Sequence, residues 1–154
     1  MDTVAAILTA LWTVLTNDSE LRAIMGGTVR LYPDRAPANT PFPYLVHSIA
    51  PRMRDRDVWG LMEADYRLDL WDGPDASGSG PPVNRIYDMR RRIVELLDRA
   101  DIPAPAGEFQ GCRLRLEVDE PVPDDDHRVR HRHQIWVVRY WRTAEVEALL
   151  AEGR

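Results

Sequence analysis

An alternating stretch from Leu61 to Trp71 constrains the fold more than any other part of this chain. Its even positions are apolar, and its odd positions from Glu63 to Asp69 are charged. Side chains on a strand alternate between two faces, whereas a helix would spread these apolar residues around its circumference. The stretch therefore predicts a strand of an antiparallel sheet, with one face on a core and the other toward water or another subunit.

Length and composition predict a soluble globular protein with a single domain over residues 1–154. Hydrophobic residues make up 44% of the chain and charged residues 29%, which is typical of such proteins. No apolar run approaches the roughly 20 residues that span a bilayer, so no membrane partner is expected. The single cysteine, Cys112, alternates with apolar residues and is interpreted as a small buried hydrophobe.

All 20 basic residues are arginine, and the formal net charge is −5. The absence of lysine is consistent either with a GC-rich genome or with a preference for the bidentate guanidinium at interfaces. The negative charge argues against general nucleic-acid binding, which needs a basic surface to displace counterions.

Helical spacing of apolar residues predicts a helix over residues 3–16, with Trp12 on its apolar face. A short helix over Ser19–Met25 is expected to end at two glycines. A longer amphipathic helix is predicted over Pro82–Arg99, with Tyr87 in its apolar stripe. A final helix is predicted from Thr143 to Leu150.

The other periodic segments are predicted strands. They are Thr28–Tyr32, Tyr44–Ile49, Gly111–Glu120 and Arg128–Arg142. Within Gly111–Glu120, Val118 is expected to point inward and Asp119 outward. Four prolines from Pro33 to Pro43 predict an extended surface arm. The predicted fold class is α+β, a two-layer sandwich with a mostly antiparallel sheet of four or five strands and helices packed on one face.

Candidate chemistry is sparse. His131 and His133 share a strand face near the acidic run Asp124–Asp126, which raises the possibility of two imidazoles and a carboxylate at a metal. Interleaved arginines oppose a divalent ion at these histidines, and no cofactor is expected. For Asp124–Asp126 a solvated turn is the expectation, and loose binding of a hard cation between subunits is the alternative. His47 is interpreted as a satisfied core histidine, and neither a nucleophile motif nor a phosphate-binding loop is recognisable.

Two features favour a contact surface. The segment Pro51–Gly60 is predicted to be a hairpin loop that carries charges together with large apolar residues, which often mark contacts. Burial of Trp59 in the chain's own core is the alternative. The charged face of the predicted sheet is expected either to be solvated or to set the register between identical subunits.

Several short motifs, taken together over about residues 5–142, resemble the tail-terminator (tail-completion) family of long-tailed bacteriophages and gene transfer agents. The motifs are the opening helix with Leu21, Gly26–Tyr32, Ala36-Pro37, Pro41–Val46, Asp69–Trp71, the long amphipathic helix and a last strand that ends in Tyr140-Trp141. The chain departs from the family in its Asp72–Pro81 loop and in its C-terminal helix.

The resemblance implies a non-enzymatic virion protein with an α/β fold. Such proteins form a homo-oligomeric ring, typically a hexamer, at the head-proximal end of the tail tube. The ring stops tube polymerisation and contacts the tail-tube protein and the head–tail connector, while DNA passes through its bore without specific binding. A different neck protein or a tail-tube subunit is the nearest alternative, and a small-molecule-binding α+β domain is an alternative of another class.

The residues expected at the assembly interface come from the Pro51–Gly60 loop, the charged strand and the acidic turn. They are Arg52, Met53, Arg54, Val58, Trp59, Glu63, Asp65, Arg67, Asp124 and Asp125.

Overall fold

A sheet of six strands forms one layer of the described chain, and helices cover one face of this sheet. The computed structural model describes residues 3–52, 61–82, 84–103, 109–142 and 151–153. The helices are α1 (Thr3–Thr16), α2 (Ser19–Ile24) and α3 (Arg85–Leu97). The strands are β1 (Leu31–Pro33), β2 (Tyr44–Pro51), β3 (Leu61–Asp72), β4 (Asp101–Ile102), β5 (Phe109–Val122) and β6 (Arg130–Arg142). The predicted helix over 143–150 and most of the Pro51–Gly60 loop lie outside the described residues.

The strands lie in the order β1-β2-β3-β6-β5-β4. Only the β1–β2 pair is parallel, so the predicted, mostly antiparallel character of the sheet is confirmed within the described chain. The predicted count of four or five strands was too low. Asp101–Ile102 is an additional edge strand that was not predicted, because two residues are too few to show any alternation.

The core lies between the sheet and the helices. The even positions of β3 from Ala64 to Leu70 are fully buried, as the alternation predicted. Burial of each large side chain of this kind contributes about 1.5–3 kcal/mol. Leu11 of α1 and Ile93 of α3 pack into the same cluster, but Trp12 and Tyr87 do not. These two side chains are 45% and 56% exposed, because the buried stripe of each helix is narrower than its run of apolar residues.

Polar contacts stabilise the ends of the helices, and the sequence predicts only some of these contacts. Asp18 accepts a hydrogen bond from the Leu21 backbone at 2.8 Å and so caps α2. The same carboxylate forms a bidentate pair with Arg92 of α3, at 2.7 and 2.9 Å, and this pair joins the two helices. Gly26 and Gly27 follow α2 with φ of 91° and 111°, a conformation that glycine adopts without penalty.

Among the described residues, no helix is long and apolar enough to cross a bilayer.

Candidate assembly interface

The sheet face opposite the helices, called here the outer face, carries the charged positions of β3. These are the odd positions from Glu63 to Asp69. The strand register places Asp65 beside Val137 of β6, and Val137 beside Arg115 of β5. Side chains from β2, β3, β6 and β5 therefore share one surface, which the described helices leave uncovered.

Arg52, at the end of β2, is the centre of a charge network on the outer face. Its guanidinium donates to Asp65 Oδ1 at 2.6 and 3.0 Å and to Glu117 Oε2 at 2.8 Å. Glu63 Oε2 lies 4.0 Å from Arg52 Nη1, and Arg139 Nε donates to Glu63 Oε1 at 3.0 Å. Hydrogen bonds to Glu117 and then to Asp65 raise the pKa of Arg52, so this cation stays charged at any physiological pH.

The charge network reaches from β2 across β3 and β6 to β5. Val137 is only 2% exposed although it belongs to the outer face, because it lies in register between Asp65 and the strand that carries Glu117. The sequence singled out Arg52, Glu63 and Asp65, and the structure brings these three together. Glu117 and Arg139 were missed as members, because alternation places them on this face but does not say which carboxylate meets which guanidinium.

Glu63 departs from the solvated row of charges that alternation suggests, whereas Arg67 agrees with it. Glu63 is 3% exposed, because the guanidinium groups of Arg52 and Arg139 cover it. Arg67 is exposed and, within the described part of the chain, makes no side-chain hydrogen bond or ion pair. Arg67 thus stands beside the charge network rather than in it.

A β-bulge in β5 overturns the predicted orientation of Val118 and Asp119. The register shifts between Leu116 and Val118, so Val118 pairs with outer-face Ile135 and Asp119 with buried Gln134. Asp119 consequently points to the helix side and accepts hydrogen bonds from Arg90 of α3 and from Arg132. One extra residue reverses every later side chain, which period-two reasoning cannot anticipate.

Two other residues of the predicted interface lie apart from the charge network. Asp124 and Asp125 are exposed in the turn between β5 and β6, where Asp124 accepts a hydrogen bond from the backbone of Asp126 at 2.9 Å. Four other residues of the prediction lie outside the described residues. They are Met53, Arg54, Val58 and Trp59.

The proline-rich segment 34–43 and the outer face enclose a cleft of about 620 Å³, called here the arm cleft. A row of stacked rings runs through it. Successive centroids lie 5.4 Å apart for Phe42 and Tyr44, 6.1 Å for Tyr44 and Trp71, and 3.7 Å for Trp71 and His131. Asp34, Arg35 and Asp69 supply charge to its lining. Sequence reasoning missed this cleft, although Tyr44 at the start of β2 and Trp71 near the end of β3 are directly paired.

Gly73 lies against Phe42, one of the residues that line the arm cleft. A Cβ atom at this position would lie 2.6 Å from the Phe42 ring, which is closer than side-chain atoms approach. Phe42 therefore packs directly on the backbone that follows β3. The preceding residue, Asp72, is fully buried and forms a bidentate pair with Arg85 at 2.6 and 2.9 Å.

His131 and His133 do meet a carboxylate, but it is Asp69 rather than the acidic turn. Asp69 Oδ1 lies 2.7 Å from His131 Nε2 and 2.8 Å from His133 Nδ1. Burial raises the pKa of Asp69, the hydrogen bonds to His131 and then His133 lower it, and the net pKa lies below the usual 3.8. The described residues contain no cluster of three ligands with the geometry of a metal site.

Other groups with potential chemistry are structural. His47 is 3% exposed, with Nδ1 2.8 Å from the Tyr66 hydroxyl, which confirms the interpretation of a satisfied core histidine. Cys112 is 4% exposed, and burial, with a contribution from Asp101, raises the pKa of its thiol to about 12. A thiol with this pKa is a poor nucleophile near neutral pH, in agreement with the prediction of a small buried hydrophobe.

Comparison with known proteins finds a matching family and similar solved structures. Residues 9–139 match the family described as tail completion protein gp17. A chain of a solved structure described as the virion of a native gene transfer agent particle is similar in fold, with a TM-score of 0.67 at 17% identity over 90% of this chain and 97% of that chain. At such low sequence identity the structural similarity supports a shared fold and nothing further. No curated protein sequence matches the chain.

Proposed function

Because the chain belongs to the tail completion protein gp17 family, we propose that it forms a ring at the head-proximal end of a phage tail tube. Family membership makes it a structural protein of the virion tail and not an enzyme. On this proposal the ring is a hexamer that ends tube polymerisation and joins the tail to the head connector. It assembles in the host cytoplasm and contacts the tail-tube protein on one side and the connector protein on the other.

The observation that carries the proposal is the outer face with its preorganised charges, which the described helices leave uncovered. Five charged side chains from four strands are already held in fixed positions there. They are Arg52, Glu63, Asp65, Glu117 and Arg139. Charges held in this way contribute little to stability at a solvated surface, but they set register and orientation when a complementary surface binds. A ring needs such orientation, since each subunit must meet its neighbour at the same angle.

The proposed subunit and tube contacts extend beyond this network. They include the expected residues Arg52, Met53, Arg54, Val58, Trp59, Glu63, Asp65, Arg67, Asp124 and Asp125. The net charge of −5 suits a ring whose bore passes DNA without holding it, since phosphates and the protein repel each other.

The first experiment measures mass by light scattering across protein concentration, with and without Mg²⁺, followed by negative-stain imaging. Closed rings of uniform diameter support the proposal. Open-ended tubes formed by this chain alone would instead identify a tail-tube subunit. The same protein is then added to polymerising tail-tube protein, where it is expected to cap tubes at one end and shorten them. A chain that stays monomeric in solution and does not bind tube ends would refute the proposal.

A substitution tests the proposed contact at Trp59. Trp59→Ala is expected to impair ring or tail assembly while the monomer melts at an unchanged temperature. Trp12→Ala is the matched control, because Trp12 is 45% exposed on the helix layer, away from the outer face. A Trp59→Ala protein that unfolds would place Trp59 in the core, and one that assembles as well as Trp12→Ala would remove it from the interface.

A further inference from the structure

Three arginines occupy neighbouring positions of the outer face, beside the edge strand β4. The register places Arg113 of β5 directly opposite Arg139 of β6, and Arg115 lies further along β5 on the same face. Side chains that face each other across antiparallel strands have Cβ atoms only about 5 Å apart, so like charges there are destabilising. An arrangement that lowers the stability of the free protein is explained if an anionic partner binds to it.

These three arginines and Arg99 together are called here the arginine patch. They surround a depression of about 360 Å³, and no carboxylate is among the described residues that line it. The other lining residues are Leu114 and Val137. Val137 is 2% exposed, so the guanidinium groups stand beside an apolar surface. Partial exclusion of water from such a depression strengthens the interaction of an anion with arginine.

Arg99 is held beside β5 by backbone hydrogen bonds. Its N–H donates to the Leu114 carbonyl at 2.8 Å, and its carbonyl accepts a hydrogen bond from Arg113 Nε at 3.3 Å. Its φ of 58° lies in the left-handed region, which residues other than glycine, asparagine and aspartate seldom adopt. The backbone thus keeps an uncommon conformation that adds a fourth guanidinium to the patch.

Carboxylates within the chain balance only part of this positive charge. Arg139 pairs with Glu63 at 3.0 Å, but the same carboxylate also lies 4.0 Å from Arg52. Arg113 pairs with Asp101 at 3.5 Å, and these side chains are 64% and 84% exposed. Water screens an exposed pair of this kind, so Arg113 can exchange Asp101 for another carboxylate at little cost.

Arg99 and Arg115 carry the charge that is free to bind an anion. Both side chains are exposed, and neither makes a hydrogen bond or an ion pair with the residues that the structure describes. A planar guanidinium can donate two parallel hydrogen bonds to a carboxylate or a phosphate group. The patch therefore fits an anion with oxygen atoms in a fork.

Flanking carboxylates favour a compact anion over a nucleic-acid backbone. Asp101 borders the patch at the sheet edge, Glu117 follows Arg115 along β5, and Asp65 lies one strand beyond Val137. Duplex DNA carries a phosphate charge about every 1.7 Å, so a backbone laid across the patch would also meet these carboxylates. A short segment with a few clustered carboxylates binds the arginines without reaching the flanking groups.

We propose that the arginine patch binds a short acidic segment of another protein, with Arg99 and Arg115 as the principal contacts. Their guanidinium groups donate paired hydrogen bonds to its carboxylates, and Arg113 and Arg139 add positive charge on either side. Because the chain is a structural protein of the virion tail, the segment belongs to a neighbouring virion protein. The inference goes beyond the proposed ring and does not depend on it, since one subunit and one acidic peptide are sufficient.

The test measures binding of a fluorescent hexaglutamate peptide to the full chain by anisotropy at low ionic strength, with hexaglutamine as the control peptide. Hexaglutamate is expected to bind, and added salt is expected to weaken the binding. Arg99→Gln with Arg115→Gln should lower the affinity at least about tenfold, since both bidentate contacts are removed. Arg115→Gln alone should give a smaller loss.

Arg22→Gln with Arg35→Gln is the matched control, because it removes the same charge from two exposed arginines outside the patch. This protein is expected to bind hexaglutamate as tightly as the unmodified chain does. The melting temperature of each variant should be unchanged, since the substituted side chains of the patch are exposed and unpaired among the described residues.

Equal affinity of the patch variant and the control variant for hexaglutamate would overturn the proposal, as would failure of the unmodified chain to bind the peptide. Binding of a short DNA duplex but not of hexaglutamate, lost only in the patch variant, would assign the patch to nucleic acid instead. These outcomes are separable from the fate of the ring, because ring formation is read from mass and images of the unmodified chain without peptide.

Discussion

Acidification is expected to destabilise this protein through His47. The imidazole is 3% exposed and hydrogen-bonded to Tyr66. Burial lowers the pKa of His47 from 6.5 to about 4, and the charge of Asp34 opposes only part of that shift. The folded state therefore holds His47 neutral under conditions in which the unfolded chain would protonate it.

The sign and size of the effect follow from linkage. Because the folded pKa is the lower one, the contribution of His47 is fully present above about pH 7 and declines as the pH falls from 6.5 toward 4. At pH 5 an unfolded histidine is almost fully protonated, while the folded one remains about nine-tenths neutral. The free energy of unfolding is then lower by about 2 kcal/mol than at pH 8, and by about 3 kcal/mol below pH 4.

The assay is urea unfolding at pH 8, 6.5 and 5 for the unmodified chain and for His47→Gln. Glutamine can still hydrogen-bond Tyr66 but does not titrate, so the difference between the two proteins isolates the histidine. The pKa values of Asp18 and Asp69 also lie below their usual 3.8, but the stability these carboxylates contribute is lost only at more acidic pH. Equal loss of stability in both proteins between pH 8 and pH 5 would refute the reasoning.

Three further predictions concern Asp72 and Gly73, which lie beside the arm cleft, and the buried Cys112. Arg85→Ala leaves the fully buried Asp72 without its counterion and should lower the free energy of unfolding by about 3 kcal/mol, measured in urea; a loss below 1 kcal/mol would mean that water compensates the carboxylate. Gly73→Ala forces Phe42 to move and should cost about 1–3 kcal/mol, whereas Gly80→Ala, with nothing within 4 Å, should cost little. Cys112 should react with a thiol reagent only as fast as the chain unfolds, and rapid modification of the native protein would show that the site opens locally.

Local patterns predicted most elements of the fold. The limits of α1 and the start of β3 agree with the sequence reading, because period and capping are properties of neighbouring residues. The helix predicted from Pro82 begins later, at Arg85, and the edge strand Asp101–Ile102 was missed. The helix start was placed too early because a proline is compatible with the first turn of a helix but does not require one. The edge strand was missed because its two residues form a strand only by pairing with β5.

The candidate site was less predictable than the fold. Alternation identified the charged face and three members of its network, but it could not assign Glu117 and Arg139 as partners. The stacked rings of the arm cleft come from segments that no local pattern connects. The resemblance to tail-terminator proteins supplied the functional class, which charge and periodicity alone left open.

The spacing of apolar residues along each element predicted the buried faces of β3, α1 and α3, apart from the exposed Trp12 and Tyr87. Only the tertiary structure decided which strands are neighbours and therefore that Asp69 meets His131, a residue 62 positions away. It also decided the orientation of Asp119, through one inserted residue in β5. The physical reason is that side-chain period is a local property, whereas register and pairing depend on the packing of segments that are distant in the chain.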